Sequence, residues 1–80
     1  SWPGLPVLVS LAGRPVILVG DGEAAAAKRR LLERAGATIV GDHPDARLGI
    51  VAVEDDAAAE RAVARLRARG VLVNAVDRPA

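Results

Sequence analysis

Six consecutive residues, Gly20-Asp21-Gly22-Glu23-Ala24-Ala25, form a G-x-G-x-x-A pattern. The pattern carries chemistry when it joins a strand to a helix. Gly20 permits the tight turn, Gly22 leaves no Cβ between the backbone and an approaching diphosphate, and Ala25 lets the helix pack close to the sheet. The first amides of the helix then offer hydrogen-bond donors and positive potential to phosphate oxygens. The ligand implied is a dinucleotide. Asp21 and Glu23 oppose it unless their carboxylates face water.

Four further places hold groups able to do chemistry. Asp42 follows Gly20 by about 20 residues, the spacing at which an acidic residue accepts hydrogen bonds from the adenine-side ribose. There it would repel a 2′-phosphate and favour NAD over NADP. An ordinary turn aspartate before His43-Pro44 fits the same residues, and the spacing leaves both readings open. His43 is the only histidine. A lone histidine in a Pro-flanked loop reads as solvated, and without cysteine or a second histidine no common zinc site can form. Glu54, Asp55 and Asp56 suit the capping of a following helix, although a strand end also places them near a ligand crevice. Asp77 follows Asn74-Ala75-Val76. It is either a turn residue before Arg78-Pro79 or a carboxylate facing the crevice that serves as a general base.

The elements that must position these residues alternate in period. Val16-Ile17-Leu18-Val19 is a short β-branched run, read as a strand buried on both faces. Glu23 to Ala35 is rich in helix formers, and Ala24, Ala27, Lys28, Leu31 and Ala35 are expected on its buried stripe. Gly36 closes that helix as a C′ glycine. Residues 37–40 form a second strand and residues 48–53 a third. Asp55 or Asp56 caps a second helix whose stripe is Ala59, Ala62, Val63 and Leu66, with Arg61, Arg65 and Arg69 on its surface. Gly70 closes it, and residues 71–76 form the last strand. Pro6-Val7-Leu8-Val9 adds a candidate edge strand.

Two strand-helix-strand units predict an α/β fold: a small Rossmann-like domain with a mainly parallel sheet of about four to five strands and one helix on each face. One helix per face leaves apolar sheet for something else to cover. The connection from Gly41 to Arg47 is short for a parallel crossover. Seven extended residues reach roughly 25 Å, enough to run back along a strand but not to build a helix. A third strand and its helix look deleted.

Composition narrows the class. The chain has 80 residues and is 51% hydrophobic, which suits one folded domain over residues 1–80 with a modest core. A net charge of +1 gives no basic field for nucleic acid. Cysteine is absent, so disulfide and thiolate chemistry are excluded. The apolar runs are strand-length, too short to span a membrane, and Ser1-Trp2-Pro3-Gly4 has no signal-peptide shape. A cytoplasmic protein is the expectation.

The ordered set of motifs resembles the N-terminal domain of the siroheme synthase family, the precorrin-2 dehydrogenase/sirohydrochlorin ferrochelatases. Leu5-Pro6-Val7 with Leu11-Ala12-Gly13-Arg14-Pro15-Val16 is similar to the family's opening. Val19 to Ala25, followed by Lys28, Arg30, Leu31, Leu32, Ala35, Gly36 and Ala37, is similar to its nucleotide-binding turn and first helix. Val51-Ala52-Val53-Glu54-Asp55-Asp56 resembles its strand ending in paired aspartates, and Gly70 to Pro79 its Asn-Val-Val-Asp segment. The resemblance implies NAD-dependent oxidation of precorrin-2 to sirohydrochlorin, with Fe²⁺ insertion by some members. It places cofactor contacts on Gly20, Gly22, Glu23 and Ala24 and on Asp42, His43, Pro44 and Asp45, and proton transfer on Asp77. It also implies a homodimer of a longer protein.

The chain departs from the family pattern in several places. Asp21 replaces the middle glycine, Ala27 an arginine and Glu54 a threonine, and the stretch between the second and third strands is short. Eighty residues thus read as a truncated or reduced NAD-binding domain. The reading from another class is a dinucleotide-binding regulatory module without chemistry of its own.

Overall fold

The computed structural model describes residues 11–76. Six elements follow in order: β1 (Pro15–Val19), α1 (Glu23–Arg34), β2 (Thr38–Val40), β3 (Leu48–Val51), α2 (Asp56–Ala68) and β4 (Leu72–Ala75). The strands form one sheet in the order β2-β1-β3-β4, and every pairing is parallel. This is the expected small Rossmann-like α/β architecture. The proposed edge strand at residues 6–9 lies outside the described residues.

Strand alternation sorts the core into two layers. Val16, Leu18 and Ile50 pack with Leu32 of α1 and with Leu11 on one face of the sheet. Ile17 and Val51 pack with Ala59, Ala62 and Leu66 of α2 on the other. Every strand residue in these layers is aliphatic, so the helices are held to the sheet by apolar burial, and the described residues include no buried polar or charged group. Gly49 has a packing reason: a Cβ there would lie 3.1 Å from Leu66 Cδ1 and 3.3 Å from Val71 Cγ1, so its absence lets α2 sit close over β3.

The buried stripe of α1 is rotated from the expected one. Ala25 and Leu32 are its buried residues, while Ala24 and Ala27 are exposed. Four consecutive alanines give the helix no hydrophobic contrast in its first turn. Its rotation is instead set by Ala25 packing under the Gly20 turn. The stripe of α2 falls where expected, on Ala59, Ala62 and Leu66, with Val63 packed beside them.

Both helices stop by the same device. Gly36 and Gly70 take φ of +78° and +80°. Gly36 N donates to Glu33 O and Ala37 N to Leu32 O; likewise Gly70 N donates to Arg67 O and Val71 N to Leu66 O. These are paired Schellman closures, which satisfy the last carbonyls and turn the chain straight into the next strand.

The short connection crosses the α2 side of the sheet as a loop. Val40 pairs opposite Ile17, so β2 ends before β1 does. The loop then inserts Ala46, only 2% exposed, into the α2-side layer beside Ile17 and Val51. Ala46 thereby covers sheet surface that a helix would otherwise cover.

Candidate functional site

The order β2-β1-β3-β4 places a topological switch between β1 and β3: from β1 the chain winds outward to β2, and from β3 outward to β4. Ligands of open α/β sheets bind beyond the carboxyl ends of the strands at such a switch. The Gly20–Ala25 turn leaves β1 at this point, and Ala52 to Asp55 leave β3 beside it.

Each small residue of the turn has its own geometric cause. Gly20 adopts φ +130°, and a Cβ on it would stand 2.1 Å from the Ala52 carbonyl oxygen and 3.3 Å from Ala25 Cβ. The two strand ends and the helix therefore meet with no room for a side chain. Ala25 is 3% exposed and is the contact that seats α1. Gly22 is the N-cap of α1 at φ −91°, a conformation open to any residue, and no atom of the described residues lies within 4 Å of where its Cβ would be. Nothing in the fold demands a glycine at this position. What its missing side chain leaves is open space in front of the first helical amides.

The two helix starts at this end of the sheet differ. Asp55 caps α2, its Oδ2 accepting from Ala58 N at 2.8 Å. This selects Asp55 from the expected pair and gives it a structural role. Among the described residues no side chain caps α1. Its first-turn amides stay available as donors, and Asp21 and Glu23 are solvent-exposed, as phosphate binding requires. Ala24 is exposed as well.

The second cluster expected at the site, residues 42–45, is held by a network of its own. Asp42 Oδ1 accepts from Arg69 Nη1 in an ion pair, and Arg69 Nη2 donates to the His43 carbonyl oxygen at 3.0 Å. Asp42 Oδ1 also accepts from His43 N at 2.9 Å, and His43 Nδ1 accepts from Asp45 N at 3.1 Å. Arg69 is the C-cap of α2. Because α2 runs antiparallel to the strands it joins, its C-terminal end lies at the amino ends of the sheet. Asp42, His43, Pro44 and Asp45 thus belong to a crossover that Arg69 ties to α2. The Arg69 guanidinium holds the Asp42 carboxyl below its ordinary range, with weaker help from the His43 amide and Arg65. Sequence reasoning read Arg69 as a surface charge. No local pattern joins residues 27 positions apart.

Asp77 lies outside the described residues. Among the described residues no group of acidic, histidine or cysteine side chains could hold a metal ion, and no helix is long and apolar enough to cross a membrane.

Fold and turn together define a Rossmann-like domain with its crevice at the β1/β3 switch. The chain belongs to the siroheme synthase family and corresponds to its N-terminal domain. It is 36% identical over 103 residues to a siroheme synthase of Methylobacillus flagellatus, covering 94% of this chain and 22% of that protein. It is 42% identical over 79 residues to siroheme synthase 1 of Aeromonas salmonicida, covering 92% of this chain and 17% of that one. Over 52 residues it is 44% identical to a siroheme synthase of Neisseria meningitidis serogroup B, covering 62% and 11%. The chain thus spans about a fifth of the length of the first two relatives. The first alignment is longer than the 80-residue chain, so that relative carries residues with no counterpart here. No family model matches the chain.

Proposed function

We propose that this chain is the cofactor-binding part of an NAD-dependent dehydrogenase that oxidises precorrin-2 to sirohydrochlorin in siroheme biosynthesis. The observation that carries the reading is Gly22: a glycine that the backbone does not require, standing in open space before an uncapped helix start. A dinucleotide diphosphate is the chemistry that such a gap suits.

The residues present fit that group. Gly20 brings the turn against Ala52, Gly22 clears the approach, and the amides of Glu23, Ala24 and Ala25 would donate to diphosphate oxygens. NAD⁺, when bound, supplies the hydride acceptor. Gly20 and Ala25 hold the helix start rigid against β3, so the donors are oriented before the ligand arrives. Asp77, which follows the last strand in sequence, is assigned proton transfer to or from the tetrapyrrole in the complete protein.

Calorimetric titration of the chain with NAD⁺ tests the binding half: saturable one-to-one heat is expected, and its absence would remove the reading. The catalytic half is tested in a complete family member carrying this domain. Asp77→Ala should abolish precorrin-2 oxidation while leaving NAD⁺ affinity unchanged. Turnover at the unmodified rate would take the role from Asp77. The regulatory-module alternative predicts binding without turnover even in the complete protein.

A further inference from the structure

We infer that α2 carries a self-complementary docking stripe, on which a second copy of this chain seats its own α2 antiparallel about a two-fold axis; the contact is independent of the dinucleotide turn. A groove of about 560 Å³ runs along one flank of α2, lined by Glu60, Val63, Ala64 and Arg67 of the helix and by Ala75 and Val76 at the end of β4. The four helix residues stand at i, i+3, i+4 and i+7, which is one face of an α-helix. Glu60, Ala64 and Arg67 are exposed and Val63 is half-buried. The stripe therefore has an acid at one end, an arginine two turns away at the other, and small apolar groups between them.

Neither charge is answered within its own helix. Three and four residues from Glu60 stand Asp56, Ala57, Val63 and Ala64, and from Arg67 stand Val63, Ala64, Gly70 and Val71. A two-fold axis passing between Val63 and Ala64 answers both charges at once. Position 60 is then related to position 67, so Glu60 of one copy faces Arg67 of the partner subunit, and the same pair recurs on the other side of the axis. Val63 meets Ala64 of the partner subunit at the centre, where small side chains let the helix axes approach to about 8 Å. A parallel arrangement would set Glu60 against Glu60 of the partner subunit, so the charges select the antiparallel one. The stripe is only two turns long, about 11 Å. It buries far less than the roughly 800 Å² per partner of a standard interface, so the dimer is a weak one.

The test is sedimentation equilibrium of the full chain at concentrations up to about 1 mM, in low and in high salt. A monomer–dimer equilibrium that weakens in high salt is expected. Glu60→Arg and Arg67→Glu should each weaken self-association by about tenfold, because each sets like charges across the axis. Mixed one to one, the two variants should dimerise again, since each supplies the charge that the other lacks. Circular dichroism verifies that both keep their fold. A chain that stays monomeric at about 1 mM, self-association that persists in both single variants, or a mixture that stays monomeric would each overturn the inference.

Discussion

Gly20 and Ala52 meet backbone to backbone, with the Ala52 carbonyl oxygen 2.1 Å from the point where a Gly20 Cβ would stand. Ala52 N in turn donates to Val19 O at 2.7 Å, so a backbone hydrogen bond ties the two strand ends beside the contact. Gly20→Ala therefore meets a backbone overlap that no rotamer change relieves, and a φ of +130° that an L side chain resists. A loss of about 3 kcal/mol or more is expected in urea denaturation.

Gly22 predicts the opposite dissociation of stability from function. Gly22→Asp places an acceptor at an N-cap whose φ already suits it and whose surroundings are open. Thermal stability should rise by a few tenths of a kcal/mol. Dinucleotide affinity should fall by about tenfold or more, because the new carboxylate occupies the amides and repels the diphosphate. Unchanged affinity in this variant would move the binding site away from the turn.

Each face of the sheet depends on one leucine that is 0% exposed, Leu32 for α1 and Leu66 for α2. Leu32→Ala and Leu66→Ala should each cost about 3 kcal/mol, through lost burial and the cavity left behind. A domain of this size holds roughly 4–12 kcal/mol in total. The single variants should therefore remain folded with much lower denaturation midpoints, and the double variant should be largely unfolded by circular dichroism.

Asp42 makes a prediction with a sign. Arg69 lowers its carboxyl pKa in the folded protein relative to the unfolded chain. The pair's contribution is then fully present above the ordinary carboxylate range and disappears as pH falls through the depressed folded value. Melting temperature measured downward from about pH 5 should fall less steeply in Asp42→Asn than in the unmodified chain. Because the carboxylate is exposed, the difference should be small and should shrink further in high salt.

These expectations show what the linear chain encodes and what it does not. Strand and helix positions were legible because aliphatic runs, Gly36 and Gly70 are local signals, read within a few residues. The turn was legible because its chemistry is contained in six consecutive residues. The rotation of α1 was not, since Ala24 to Ala27 look alike to any periodicity and only the Gly20–Ala25 contact distinguishes them. The Asp42–Arg69 ion pair was not legible for a related reason. The two partners lie far apart in sequence, Arg69 at the end of a different helix. Asp77 rests on the family segment alone, outside the described residues.

Covering part of one sheet face with a loop instead of a helix has a dynamic consequence. Ala46 seals the layer over Ile17 and packs with the α2 residues, yet its loop is a turn, closed by Ala46 N donating to His43 O, and its polar tie to α2 is the Arg69 guanidinium. That flap can lift without unzipping any strand pairing, whereas α1 and α2 cannot leave without exposing a fully buried leucine. Amide hydrogens around Ala46 should accordingly exchange through a low-energy partial opening, well before those of β1 and β3, making this corner the first part of the domain to breathe.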